Sequence, residues 1–342
     1  MEKGQYSTDK IPLKIINLLN PIDGSTFHIK WRLHRICNYS CSYCIQKNCR
    51  DFGKNTISEA FEAAFKAADD VNVLIKNLPE RVKTVRLNMI GGEPTLYDLC
   101  PILEKLEDRR VKELNLTTNL AQSLEYWEKL VNYCNSRGIL LQVSASYHEM
   151  QTPKSFVDKA MKIVDMGLGL ENMQIKSVKV GDNEDIMNIL ERLCIKNNLY
   201  YNLELDARTP EVMKKGVKPS YNKQVTHYEV TEYDCKTKQT STLKLHYLTD
   251  IRMRYSNVNH FLTPGRCVCT VNYNFITIDT NPNTNDLSYV LYILHNDNDA
   301  GCYRSEVTKI RDFKAPDKPL HCNNSNSCWF CGTMSIWREN NE

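Results

Sequence analysis

Arg35-Ile36-Cys37-Asn38-Tyr39-Ser40-Cys41-Ser42-Tyr43-Cys44 spaces three thiols as Cys-x3-Cys-x2-Cys, directly after an apolar run, Phe27–Ile36, that reads as a β-strand. Soft thiolates set this close on one loop can hold three corners of a cubic [4Fe–4S] cluster, which four cysteines would close. Cys49 follows, but its spacing does not mark it as a fourth ligand. A cube with one iron left open can bind something other than protein. The rival reading is a zinc knuckle. Zinc spacings pair one Cys-x2-Cys with a second such pair rather than with Cys-x3-Cys.

Outward from this loop, short apolar runs alternate with longer amphipathic ones. Strands are expected at Phe27–Ile36, Val82–Ile90, Glu113–Thr118, Ile139–Ser146, Met173–Val180 and Tyr200–Asp206. Helices are expected between them, at Ser58–Lys76, Tyr97–Glu107, Ser123–Ser136, Ser155–Met166 and Glu184–Asn197. The first helix repeats apolar residues every three or four positions (Ala60, Ala63, Ala64, Ala67, Ala68, Val71), a helical period. Ser155 and Gly138 read as a helix start and a helix stop. Alternation of this kind predicts an α/β fold with a parallel sheet. Six units fall short of a closed eight-fold barrel, so the expectation is a partial (β/α)6 barrel. Reactive groups in such barrels sit at the C-terminal strand ends.

The second strand closes on Gly91-Gly92-Glu93-Pro94. Paired glycines admit close backbone approach, and a neighbouring carboxylate can accept hydrogen bonds from an ammonium group. An ordinary strand-to-helix turn is the plainer reading of the same four residues. Asn119 ends the third strand and Ser144 lies near the end of the fourth, where polar side chains could meet a ligand or merely cap the next helix. His148 follows the fourth strand and is the candidate catalytic residue, able to orient substrate or move a proton.

The three-cysteine spacing, with the aromatic Tyr43 before its last cysteine, and the glycine-rich run after the second strand resemble the radical S-adenosylmethionine (radical SAM) superfamily. The resemblance implies that Cys37, Cys41 and Cys44 hold the cluster and that its open iron is chelated by S-adenosylmethionine. It further implies that Gly91, Gly92, Glu93 and Pro94 receive the methionyl amino group, with Tyr43 near the adenine. Asn119 and Ser144 would serve the ribose or the carboxylate. One-electron cleavage of the sulfonium then yields a radical that abstracts hydrogen from a substrate. Such chemistry belongs to the cofactor, and the protein supplies placement. A flavodoxin- or ferredoxin-like protein is the implied electron donor.

The chain has 342 residues, 42% hydrophobic and 25% charged, which predicts a folded core. A formal charge of +3 argues against a nucleic-acid partner. No apolar run approaches a membrane span, and the polar Met1–Lys10 has no signal-peptide core. A cytoplasmic location is expected. In that reducing compartment, 14 cysteines point to metal binding more than to disulfides. Cys100, Cys134 and Cys194 lie in helix-like apolar surroundings and read as buried small hydrophobes.

After about residue 210 the pattern changes. Residues 1–26 form a lead-in, 27–210 the barrel, 211–262 a hairpin-rich connection and 263–342 a small β-rich, cysteine-rich C-terminal domain. Phe275–Asp279 and Leu287–Leu294 read as one hairpin, flanked by Cys269 and Cys302, with Cys322, Cys328 and Cys331 close behind. This tail resembles the auxiliary-cluster extensions of the SPASM and Twitch types. The resemblance implies one auxiliary [4Fe–4S] cluster drawn from Cys269, Cys302, Cys322, Cys328 and Cys331. Spacing does not decide which four ligate, and structural zinc is the alternative. The functional expectation is a radical SAM enzyme that modifies a ribosomally made peptide by cross-linking, epimerisation or oxidation. The alternatives are the same chemistry on a small molecule such as a sugar or nucleotide, and a non-catalytic zinc-binding scaffold.

Overall fold

The computed structural model describes residues 14–16, 24–44, 56–180, 183–205, 228–234, 240–245, 267–269, 275–280, 310, 313–317, 320–322 and 336–338. In chain order the strands and helices are β1 (Lys14–Ile16), β2 (Thr26–Arg32), α1 (Ile57–Lys76), β3 (Thr84–Ile90), α2 (Cys100–Glu104), β4 (Val111–Thr118), α3 (Leu124–Arg137), β5 (Leu140–Ser146), α4 (Pro153–Ile163), β6 (Met173–Lys179), α5 (Glu184–Lys196), β7 (Tyr200–Leu205), β8 (Tyr228–Asp234), β9 (Thr240–Leu245), β10 (Cys267–Cys269), β11 (Phe275–Asp279), β12 (Leu320–Cys322) and β13 (Ile336–Arg338).

The central sheet is parallel, with seven strands in the order β11-β2-β3-β4-β5-β6-β7. From β2 to β7 each strand neighbours its successor in sequence, joined by crossovers that carry the helices. Right-handed connections running always the same way put every helix on one face, and the sheet curls away from them. The result is an α/β partial barrel. Its helix-facing side carries Ile29, Trp31, Leu87, Met89, Leu114, Leu116, Val143 and Ile175, all buried. Each such side chain stabilises the fold by roughly 1.5–3 kcal/mol. The helices answer at three- and four-residue spacing, with Ala64, Ala67, Ala68 and Val71 of α1 and Trp127, Leu130, Val131 and Cys134 of α3.

Helix ends are specified locally. Thr56 caps α1 through the Glu59 N–H at 3.2 Å, and the Glu59 carboxylate returns to the Thr56 N–H. Gly138 ends α3 at φ +64°, in the left-handed region that a glycine occupies without penalty. The start of α4 differs from expectation. It is Thr152 followed by Pro153, not Ser155, because proline at the first helical position supplies the preset φ.

One further expectation is extended and one is corrected. The six expected strands are present as β2 to β7, and among the described residues a seventh, Phe275–Asp279, lies parallel to β2 on its outer edge, pairing Ile276 with Ile29 and Ile278 with Trp31. Thr280 then accepts a 2.8 Å hydrogen bond from the buried Trp31 indole. The other half of the expected hairpin, 287–294, lies outside the described residues. The first strand also ends at Arg32 rather than Ile36, four residues early.

Two smaller antiparallel sheets are present among the described residues. In one, β8 pairs with β1 and also with β9, and β8 and β9 lie in the 211–262 region expected to be hairpin-rich. In the other, β10 lies between β12 and β13, with Cys267 opposite Cys322.

Two buried histidines at the β2 end of the sheet make the fold acid-sensitive. Burial, aided by the Arg86 charge, pushes His28 down to about 3, and burial pushes His34 down to about 4. An unfolded chain takes up these protons as pH falls through 6.5, whereas the folded chain refuses them. The stability they confer is present above pH 6.5 and lost as pH falls toward 4. Between pH 7.5 and 5 each costs about 2 kcal/mol. Urea unfolding at the two pH values should show the loss, and His34→Phe should remove close to half of it. An unchanged pH dependence in that variant would count against the assignment.

Candidate active site

The cysteine loop leaves β2 and is fastened beneath the end of β3. Although β2 ends at Arg32, its ladder with β3 continues into the loop. Leu33 donates to the Ile90 carbonyl at 2.9 Å, Gly92 to His34 at 2.9 Å and Glu93 to Ile36 at 2.8 Å. The glycine pair is the condition for this approach. A Cβ on Gly92 would sit 2.0 Å from the Ile36 oxygen and 2.6 Å from the Arg35 oxygen; one on Gly91 would sit 2.7 Å from the His34 oxygen. The two motifs that stand 50 residues apart in sequence are therefore one backbone unit.

Glu93 is buried directly behind that unit. Its Oε1 accepts from the Thr95 N–H (3.1 Å), the Thr95 hydroxyl (2.7 Å) and the Thr118 hydroxyl (2.7 Å). Its Oε2 accepts from the Asn119 N–H at 2.6 Å and has capacity for a further donor. Burial outweighs these bonds and pushes the carboxyl above its ordinary range. Pro94 opens a short 3-10 turn, Pro94–Leu96, and is buried. Asn119 bonds to three further residues of the chain. Its side-chain amide donates to Asn38 in the cysteine loop at 2.7 Å, its side-chain oxygen accepts from Ala121 at 2.9 Å, and its carbonyl accepts from Gln151 at 2.9 Å.

Within the loop, Cys44 donates to the Cys41 carbonyl at 3.3 Å, closing a turn. Cys37 Sγ accepts the Tyr39 N–H at 3.4 Å. Cys41 is buried, and its Sγ lies 3.1 Å from His148 Nδ1, which is 2.7 Å from the Tyr43 hydroxyl. Burial and the nearby thiols raise the Tyr43 phenol above its usual range. Among the described residues no three His, Cys, Asp or Glu side chains converge on a position for a single metal ion. A cube assigns one thiolate to each of several irons instead. Three thiols on one turn, two of them facing hydrogen-bond donors, suit that group by donor chemistry. His148 is brought to the cysteine loop, as are Tyr43, Gly91, Gly92, Glu93 and Asn119.

Ser144 sits apart from that cluster, half-buried on the inner face of β5 between Thr117 and Gln174. That face is polar. Lys30, Asn88, Asn115 and Gln142 are register partners in a row across β2 to β5. Lys30 stands near Arg32 and Lys176, and burial together with those two charges lowers its pKa. Sequence reasoning missed this cationic group and the Asn38–Asn119–Gln151 chain. The signal for the first was present, in polar residues at every second position of otherwise apolar strands. Of the C-terminal cysteines, Cys269 lies on β10 and Cys322 on β12, whereas Cys302, Cys328 and Cys331 lie outside the described residues. Cys100, Cys134 and Cys194 are buried among apolar side chains, each thiol pushed up to about 12 by desolvation. No helix among the described residues is long and apolar enough to cross a membrane.

No family model matches the chain. It is 24% identical over 160 residues to a probable GTP 3',8-cyclase of Methanocaldococcus jannaschii, covering 46% of this chain and 41% of that one. Probable GTP 3',8-cyclases of two Methanococcus maripaludis strains are 31% and 32% identical over 96 and 95 residues, 28% of each chain. The chain thus spans less than half the length of the curated relatives it matches. Taken with the Cys-x3-Cys-x2-Cys loop, the strand-end glycine pair zipped to it and the parallel partial barrel around both, this similarity supports the radical SAM superfamily for the chain.

Proposed function

We propose that the protein is an enzyme that cleaves S-adenosylmethionine at a [4Fe–4S] cluster held by Cys37, Cys41 and Cys44, and directs the radical to an anionic small molecule of the nucleotide class. When bound, the cluster and S-adenosylmethionine supply one-electron cleavage and a carbon radical that takes hydrogen from the substrate. The chain's own residues do the placing. The Gly91–Gly92 backbone and Glu93 Oε2 offer acceptors to an ammonium group, Tyr43 walls the nucleoside side, and Ser144 offers a hydroxyl on the inner face. A flavodoxin- or ferredoxin-like donor and a cytoplasmic location fit this chemistry.

The observation that carries the substrate class is the Lys30, Arg32 and Lys176 group on the barrel's inner face. Burial and the charges of Arg32 and Lys176 hold Lys30 below the usual lysine range, and phosphate oxygens would offset that concentration of positive charge. The relatives named as GTP cyclases point the same way, and for these reasons we prefer the small-molecule reading to peptide modification. For the C-terminal part we propose a second iron–sulfur cluster. The pairing of β10 with β12, which carry Cys269 and Cys322, supports it.

Anaerobic reconstitution with iron and sulfide, followed by S-adenosylmethionine and dithionite, should yield 5′-deoxyadenosine. Zinc retention without that product would favour the scaffold reading. Lys30→Gln should weaken binding of a nucleoside triphosphate, with GTP as the probe, by about ten- to a hundred-fold, since hydrogen bonds to charged groups are worth about 1.5–3 kcal/mol. Equal affinity of variant and wild type in calorimetry would remove the phosphate assignment.

A further inference from the structure

We propose that His148 is a positioning residue acting on the iron–sulfur side of the site: with Tyr43 it directs hydrogen-bond donors at the Cys41 sulfur and thereby raises the cluster's reduction potential. The inference rests on the reading of Cys41 as a cluster ligand.

The three groups form a triangle. His148 Nδ1 is 2.7 Å from the Tyr43 hydroxyl and 3.1 Å from Cys41 Sγ, and the Tyr43 hydroxyl is itself hydrogen-bonded to Cys41. A ligating thiolate donates nothing, so the other two groups must supply the protons. If Tyr43 donated to Nδ1, the nitrogen lone pair and the sulfur would both be left facing each other without a proton. With the proton on Nδ1, the imidazole donates toward the tyrosine oxygen and the sulfur, and the tyrosine proton is free to point at the sulfur. Electrostatics therefore select the Nδ1–H tautomer, and the relay runs from histidine through tyrosine to thiolate.

The ring is held for this task. Tyr43 stacks parallel to it at 6.1 Å, and Tyr39 meets it edge-on at 5.5 Å. The segment that carries it is tied at several points. The His148 carbonyl accepts from Gln151 N–H at 2.9 Å, the Tyr147 hydroxyl donates to the Gln151 carbonyl at 2.8 Å, and Asn183 donates to the Glu149 carboxylate at 3.2 Å. Donors on a cluster's sulfur withdraw negative charge and favour the reduced state. The burial of Cys41 keeps competing water from doing the same.

The test is a redox-poised EPR titration of the reconstituted protein, with iron content measured alongside. His148→Phe and Tyr43→Phe should each load a full cluster and show a more negative midpoint potential than wild type. The double variant should fall little below the lower single, because the two residues form one relay. His148→Asn, which restores an N–H donor, should recover part of the shift. Wild-type midpoints in His148→Phe and Tyr43→Phe at full iron content would overturn the proposal, as would cluster loss in His148→Phe alongside an unshifted Tyr43→Phe. Failure of the wild-type chain to load iron would instead remove the ligand reading beneath it.

Discussion

Replacing Gly92 with alanine is expected to unfasten the cysteine loop and empty it of iron. The added carbon would meet the Ile36 oxygen at 2.0 Å, the Ile36 carbonyl carbon at 2.4 Å and the Arg35 oxygen at 2.6 Å. All three are backbone atoms, so no side chain can swing aside. The end of β3 and the loop must part. Separation breaks the Gly92 to His34 and Glu93 to Ile36 hydrogen bonds, each worth about 1 kcal/mol. Overpacking adds about 1–3 kcal/mol. The summed loss of roughly 3–5 kcal/mol is a large part of a typical domain's margin. Urea unfolding and iron content, measured together, check the expectation. Gly91→Ala, with one contact at 2.7 Å, should show the same defect in weaker form. A Gly92→Ala protein with native stability and a full cluster would mean that the close approach is not what holds the loop.

Cys41→Ala should separate chemistry from folding. Its sulfur is buried, and the change removes one polarizable atom from a small contact, so stability should fall by no more than about 1 kcal/mol. Formation of 5′-deoxyadenosine, in contrast, should drop to background, because a cube held by two of the loop's thiolates is not retained. Cys134→Ala is the matched control. That thiol is fully buried in α3 against the sheet, and its loss should cost about as much stability while leaving iron content and product unchanged. If Cys41→Ala still cleaved S-adenosylmethionine, the ligand assignment of the loop would fall.

The strands and helices from 27 to 205 were legible because their two periods do not overlap. Apolar residues at every second position mark β3 to β7, and spacings of three and four mark α1 and α3. The one boundary clearly displaced, the end of β2, has a physical reason. Residues 33–36 continue the hydrogen bonding of the strand, but Gly91 and Gly92 let the partner chain turn away as they do so. The pairing of Phe275–Asp279 with β2 was hidden for a different reason. A five-residue alternating run marks a strand but not its neighbour, and only the register against β2 supplies that. Asn119 and Gln151 illustrate a third kind of difficulty. No periodicity signals that a strand-end asparagine also ties Asn38 to the β5 loop.

That late edge strand has a consequence for how the molecule is made. Trp31 and Thr280, joined by a buried hydrogen bond, are 249 positions apart in the chain. On a ribosome adding about 5–20 residues per second, β2 waits on the order of ten seconds or more before its outer flank is covered. Through that interval the strand that leads into the cysteines carries a bare row of peptide groups, a template for pairing with other nascent chains. Expression that slows translation over the 210–275 region should therefore raise the insoluble fraction, even though no residue of the catalytic loop is altered.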